Sequence, residues 1–303
     1  MTALILALAL IFDALFGEPR VLWSRLPHPA VLMGRAVGWL DRRYNHGANR
    51  RAKGTTGFAL LGIAALALGL ILSALPGAPI IELALAAILL AHRSLCDHVQ
   101  AVANALRLSL GDARLTVAQI VGRDTRTMDK PAIARAAIES AAENFSDGIV
   151  APAFWFLIGG LPGLLLYKIT NTADSMIGYR TDRHAEFGWA AARFDDLLNW
   201  LPARLTALLI ASTHGLLTAW PDIRADAALH RSPNAGWPEA AMSRALNIAL
   251  AGPRSYTGQM QDFPFVNDQG RKDAKAGDID AAIATLWRVW AVLLALVVLI
   301  AAF

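Results

Sequence analysis

Carboxylates and carboxamides crowd one stretch of the chain, residues 139–204. Glu139, Glu143, Asp147, Asp174, Asp195 and Asp196 lie there with Asn144, Asn171 and Asn199, and the cations Lys168, Arg180 and Arg204 stand among them. An apolar run that can enter a bilayer divides the set, and carboxylates beside lipid are costly enough to need a reason. Clustered oxygen donors with few Cys or His suit Mg²⁺, a hard ion. Mg²⁺ beside Lys168, Arg180 and Arg204 suits a phosphate ester or a polyphosphate. The stretch therefore reads as one active site, built where a membrane protein meets water. The familiar catalytic and nucleotide loops are missing: there is no GxxxxGK[ST], no GxGxxG after a strand, no GxSxG elbow and no HExxH.

Spacing refines this. Glu139, Glu143 and Asp147 are four residues apart, so on one helix they share a face. Three like charges in a column need Arg, Lys or Mg²⁺ to compensate them. A solvated acidic face is the plainer reading, and the apolar sequence directly after Asp147-Gly148 weighs against it. Asn171 and Asp174 share a face of a short helix breaking at Gly178. Asp195 and Asn199 share another, and Asp196 lies two turns from Arg204, its expected counter-ion. His28, held between Pro27 and Pro29, is either a loop histidine or a substrate contact. Asn234 belongs to Ser232-Pro-Asn-Ala-Gly-Trp-Pro238, a rigid loop that either covers a substrate or caps the next helix. Asp13 is either interfacial or a site carboxylate.

The elements that must position these residues are membrane helices. The chain has 303 residues, 55% hydrophobic and 17% charged, with mean hydropathy +0.42, whereas soluble domains carry about 25% charged residues. The expected fold is all-α, a polytopic helical bundle forming one membrane-embedded domain over 1–303. Its membrane segments fall at about 2–17, 57–75, 80–91, 149–166, 197–219 and 286–303. Its polar, site-bearing segments fall at about 131–148, 168–200 and 221–285. The net charge of +4 comes from Arg and Lys in loops, including Arg20, Arg25, Arg35, Arg42 and Arg43, which places those loops in the cytoplasm. Basic–aromatic interleaving is lacking, so nucleic acid is not an expected partner. Cys96 is the single cysteine, which excludes an intrachain disulfide and a thiol-ligated metal. His92, Asp97 and His98 read as a solvated helix face.

Residues 149–166 decide whether one site is possible. If they span the bilayer, Glu143 and Asp147 lie on the opposite side from Asp174. Pro152, Gly159-Gly160 and Pro162-Gly163 interrupt the run, and a re-entrant hairpin folded back there puts both clusters in one compartment. Irregular backbone at membrane depth is tolerated where it lines a protein cavity, and the hairpin is the expectation.

These motifs resemble the CobD/CbiB family of cobalamin biosynthesis. The resemblance rests on Asp13-Ala-Leu-Phe-Gly-Glu-Pro19 with His28-Pro29, Val121-Gly-Arg-Asp-Thr125, Glu139-Ser-Ala-Ala-Glu-Asn-Phe-Ser-Asp-Gly148 with Ala151-Pro152, and Tyr167-Lys-Ile-Thr-Asn-Thr-Ala-Asp-Ser-Met-Ile-Gly-Tyr179. It continues through Phe187-Gly-Trp189, Asp195-Asp196, Asn199, Pro202-Ala-Arg204 and Ser232-Pro-Asn-Ala-Gly-Trp237. Glu18 stands where the family usually has Asp, and His184 where it often has Tyr. The resemblance implies a multi-pass inner-membrane ligase whose site faces the cytoplasm. It would join aminopropanol, or its O-phosphate, to adenosylcobyric acid, with ATP as co-substrate and Mg²⁺ as cofactor. It also implies roles. Glu143, Asp147, Asp174, Asp195 and Asp196 would share catalysis, with Glu143, Asp147, Asp174 and Asp196 as Mg²⁺ ligands. Lys168, Arg180 and Arg204 would neutralise phosphate. Asn144, Asn171, Asn199, Asn234 and His28 would orient substrate, and Trp189, Trp200 and Trp237 are candidates to pack on a corrin. Other late cobalamin-pathway membrane enzymes are the implied partners besides lipid. The competing classes are a Mg²⁺-dependent transferase on a lipid diphosphate, a corrinoid-binding or transport protein without chemistry, and a sensor-like relative.

Overall fold

The structure, a computed structural model, describes residues 1–19, 23–256 and 259–303; the loop cation Arg20 lies outside them. The fold is all-α and polytopic. Among the described residues, four helical stretches are long and apolar enough to cross a membrane: Arg50–Ser73, Ala78–Leu108, Lys130–Ile177 and Ala276–Ala302. By its internal contacts the chain forms two compact units.

Unit 1 comprises Met1–Ala91, Asp147–Trp200 and Leu296–Phe303. Its helices are α1 (Thr2–Phe16), α2 (Pro29–Tyr44), α3 (Arg50–Ser73), α4 (Ala78–Leu89), α8 (Ala151–Ile177) and α9 (Trp189–Leu198). α8 is central, since α1, α2, α3, α4 and α9 all pack on it. Membrane logic is plainest in α3. It buries only Gly54, Gly57, Gly62 and Gly69 and presents Leu60, Ile63, Leu68, Leu70 and Ile71 outward. In water that helix would be inside out. In lipid, small residues let helices approach closely while large apolar ones face the acyl chains.

The expected fold-back at 149–166 is present within α8. Gly160 leaves the helix at φ 57°, ψ −152°, a region that glycine enters without a Cβ penalty, and Pro162 follows. A Cβ on Gly163 would collide with the Trp155 carbonyl. The Tyr167 hydroxyl lies 2.9 Å from the Asp147 carbonyl oxygen. Twenty residues of straight helix would separate those two by about 30 Å. The run is thus a re-entrant hairpin, and Asp147 and Tyr167 meet at its open end.

Unit 2 comprises His92–Ser146 and Leu201–Ala295. It contains α5 (His92–Leu108), α6 (Leu110–Val117), α7 (Lys130–Phe145), most of α10 (Trp200–Thr213), α11 (Trp220–Ala227), α12 (Gly236–Leu246) and most of α13 (Ala276–Ala302). Pro131 sits in the first turn of α7, and the Asp129 carboxylate accepts the Ala132 N–H at 2.8 Å, an N-cap that fixes where the helix begins. Two short antiparallel ribbons follow α12, pairing Leu250 with Val266 and Arg254 with Gln261. The segment at 197–219 holds the end of α9, the 14-residue α10 and a short turn at Leu217–Ala219. One expectation is corrected here. His92 is not solvated but fully buried, its ring 4.3 Å from that of Trp287 and stacked on Trp290.

Candidate functional site

Most of the candidate residues gather in unit 1, around the open end of the hairpin. Tyr167 is the joint. Its hydroxyl lies 2.9 Å from the Asp147 carbonyl and 2.9 Å from Asn199 Oδ1, so its one proton serves two acceptors. The Asn199 amide donates to Asp195 Oδ2 at 2.9 Å. Local sequence explains the alignment: Asp195 and Asn199 are one turn apart at the end of α9, as their spacing predicted. Asn171, on α8, also hydrogen-bonds the Asp195 carboxylate.

Asp195 is 8% exposed. Burial first, and then the negative charge of Asp174, push its pKa up to about 7 against the stabilising bonds from Asn199 and Asn171. Asp196 is half-buried and raised by burial, with Arg193 and Arg180 pulling the other way. It forms an ion pair with Arg193, 3.7 Å away. Asp174 and Asp196 repel each other as like charges.

On the other side of Tyr167, Lys168 lies among the charges of Asp147, Glu18 and Asp13. Asp13 is buried in α1, so it belongs with this group and is not an interfacial residue. His28 caps α2, its Nδ1 accepting the Ala30 N–H at 3.1 Å. Burial lowers its pKa, which keeps the imidazole neutral and that lone pair available. Counted together, Asp13, Glu18, Asp147, Asp174, Asp195 and Asp196 outnumber Lys168, Arg180 and Arg193. This end of unit 1 favours cations.

Glu143, Asn144, Arg204 and Asn234 fall in unit 2. The Glu139/Glu143/Asp147 column does not persist. A π turn at Ser146–Val150 shifts the helical register after Phe145, and Glu143 is exposed while Glu139 is buried. The Asn144 amide donates to the Ser140 carbonyl at 2.8 Å, one turn back. Arg204 donates to Asn234 Oδ1 at 3.3 Å and lies 4.7 Å over the Trp237 ring. In the loop around Asn234, Ser232 Oγ accepts the N–H groups of Asn234 and Ala235 and closes a turn just before α12.

Sequence reasoning missed the partners of Glu139. Arg123 pairs with it at 2.5 Å and Arg254 at 3.4 Å, and the Ala251 N–H donates to Glu139 Oε1 at 2.8 Å. Arg123 lies in the Val121–Thr125 motif, which was the available signal. Arg254, 115 residues away along the chain, gave none. Close by, Glu239 is pushed well above the usual carboxylate range by burial and by the charges of Glu139 and Glu143.

As for Mg²⁺, no group of three or more His, Cys, Asp or Glu is placed to hold a metal among the described residues. The oxygen donors of unit 1 fit the commoner Mg²⁺ arrangement, in which one or two carboxylates act with water and substrate phosphate. Glu143, the fourth expected ligand, falls in unit 2.

The description "CobD/Cbib protein" is that of the family whose model matches residues 6–286. Among similar proteins, a Rhizobium meliloti (strain 1021) protein named cobalamin biosynthesis protein CobD is 49% identical over 301 residues, covering 94% of this chain and 92% of its own. A Brucella anthropi protein of the same name is 47% identical, covering 97% and 95%. One from Rhodobacter capsulatus is 44% identical, covering 95% and 94%. No solved structure matches the chain. A near full-length family match and relatives well above 30% identity, on a polytopic helical fold carrying these motifs, place the chain in the CobD/Cbib family of cobalamin biosynthesis proteins.

Proposed function

We propose that this protein is the ligase that joins an aminopropanol arm, free or O-phosphorylated, to the free carboxylate of adenosylcobyric acid. The observation that carries this reading is Asp195, a buried carboxyl poised near pH 7 among carboxamides and further carboxylates. An amine does not displace hydroxide from a carboxylate at neutral pH, so the acid is first phosphorylated by ATP, giving an acyl phosphate and ADP. The amine nitrogen then attacks the acyl carbon, the C–N bond forms, and phosphate leaves with the bonding electrons. Before attack the ammonium must lose a proton. Asp195 is the acceptor proposed here, because a base works best with a pKa close to the operating pH. The surrounding negative charge of Asp174 and Asp196 draws the ammonium in. Mg²⁺ taken by one or two of these carboxylates would supply charge neutralisation for ATP. Arg25 precedes α2 and Arg35, Arg42 and Arg43 lie within it, and the positive-inside rule supports a cytoplasmic site in the inner membrane.

The test is amide synthesis by detergent-purified protein from adenosylcobyric acid, aminopropanol or its phosphate, ATP and Mg²⁺. The expected result is a cobinamide product whose rate rises with pH through about 7 and falls at least about 100-fold in Asp195→Asn. Folded protein that binds the corrinoid but forms no product with either amine overturns the reading and leaves a binding or transport protein.

A further inference from the structure

Unit 2 contains a half-enclosed cavity of about 280 Å³. It is lined by Arg123, Arg135, Arg254, Thr127 and the buried Glu139, with Asp129 and Ala132 at the start of α7. Nothing in the proposed amide chemistry uses it. Three guanidinium groups line one small space, and their charges are only partly answered. Glu139 brings one negative charge to Arg123 and Arg254 and, anchored by the Ala251 N–H, holds the pair side by side. Arg135 donates to the Lys272 carbonyl at 2.8 Å, lies 5.8 Å over the Phe265 ring and feels the charges of Glu139 and Asp129. The other two carboxylates of the wall have partners of their own. Asp124 accepts two bonds from the exposed Arg126 guanidinium, at 3.0 and 2.8 Å, and Asp129 caps α7. The first turn of that 16-residue helix adds positive potential on the same wall.

We infer that this cavity is a binding site for the phosphate group of a phosphate ester. Planar guanidinium groups match phosphate by forked hydrogen bonds, which explains why all three cations are Arg rather than Lys. The volume falls below the roughly 300–1,000 Å³ that encloses a whole drug-sized ligand. It admits a phosphate-bearing head and excludes a corrin. Two ligands present that chemistry: the polyphosphate tail of a nucleotide and the O-phosphate of a small amino alcohol. The assignment rests on unit 2 alone and does not depend on the ligase reading.

The test is direct binding by calorimetry on the full-length protein in detergent, without corrinoid. Inorganic phosphate, pyrophosphate, ATP and aminopropanol O-phosphate are the probes, with aminopropanol as the phosphate-free control and constant ionic strength. Phosphate-bearing probes are expected to bind and the control to fail. Arg135→Gln, which leaves the Glu139 pairs in place, weakens binding at least tenfold, whereas Arg126→Gln changes it less than twofold. Arg123→Lys, which keeps the charge but loses the fork, serves as the second variant and also weakens binding. ATP displacing bound pyrophosphate assigns the nucleotide tail; displacement by aminopropanol O-phosphate assigns the amino alcohol. Binding unchanged in folded Arg135→Gln and Arg123→Lys, or no phosphate-dependent heat at all, overturns the inference. Lost amide synthesis with intact phosphate binding would instead count against the ligase reading.

Discussion

Glu139 in unit 2 and Asp195 in unit 1 are 3% and 8% exposed, so each must have its charge matched or removed. Glu139 is matched: two guanidinium groups and a backbone N–H surround it. Asp195 meets neutral amides and other carboxylates, and the cheaper solution is to hold a proton until about pH 7. The difference separates a carboxylate that organises other groups from one that can exchange a proton. A permanently paired charge is a poor base. A carboxyl poised by burial and like charge is the kind of group found where proton transfer happens.

The comparison breaks most visibly at Glu139. Replacing it by Gln leaves two arginines without their buried anion, and removing one partner of a buried pair costs about 3–5 kcal/mol. The expected outcome for Glu139→Gln is a large fall in unfolding midpoint in detergent. A fall of less than about 1 kcal/mol would mean that solvent already screens those arginines and that the cage is not structural.

Asp195 gives the next effect, and its sign is opposite to that of a salt-bridged acid. Its pKa rises on folding from the ordinary 3.8 to about 7. Between those values the folded state holds a proton that the unfolded state has lost. Stability from this group is therefore full below about pH 4, declines as pH rises through about 7, and is flat above. The full swing is roughly 4 kcal/mol by the conversion of pKa to free energy. Asp195→Asn removes the slope and is more stable than the parent at pH 8. Denaturant unfolding from pH 4 to 8 reads this directly, and an identical slope in both proteins would locate the titration elsewhere.

How far the sequence carried these distinctions depends on whether the deciding contact is local. The hairpin was legible because its break is written in adjacent residues, Gly159-Gly160 and Pro162-Gly163, and only glycine tolerates the φ of 57° at residue 160. The facing of Asp195 and Asn199 was legible because one helical turn joins them. The column of Glu139, Glu143 and Asp147 failed because an intervening π turn leaves no signature in the amino-acid types. The Arg193–Asp196 pair is local, at i, i+3, and was within reach of spacing alone. Arg254 could not be found at all from spacing, since its pairing with Glu139 depends on how the strand Leu250–Ala251 packs on α7. His92 misled for a related reason: its aromatic partners, Trp287 and Trp290, come from the last helix.

Tyr167 sharpens the comparison with the smallest change. Its hydroxyl touches both sides of the unit 1 site, the Asp147 carbonyl at the hairpin's open end and the Asn199 amide that holds Asp195. Tyr167→Phe keeps the ring, which packs with Ala151 and Leu198, and deletes one donor. The expected loss of stability is about 1–1.5 kcal/mol, a typical net hydrogen bond. The informative readout is the pH at which the activity of Asp195 switches on. With the hydroxyl gone, Asn199 is less firmly oriented and stabilises the charged form of Asp195 less well, so the midpoint moves upward from about 7. Should the stability fall while the midpoint stays, Tyr167 is a strut of the hairpin and Asn199 orients itself. Should both move, the hydroxyl links the fold-back to the proton chemistry, which would explain why a re-entrant hairpin, rather than a span, carries these residues.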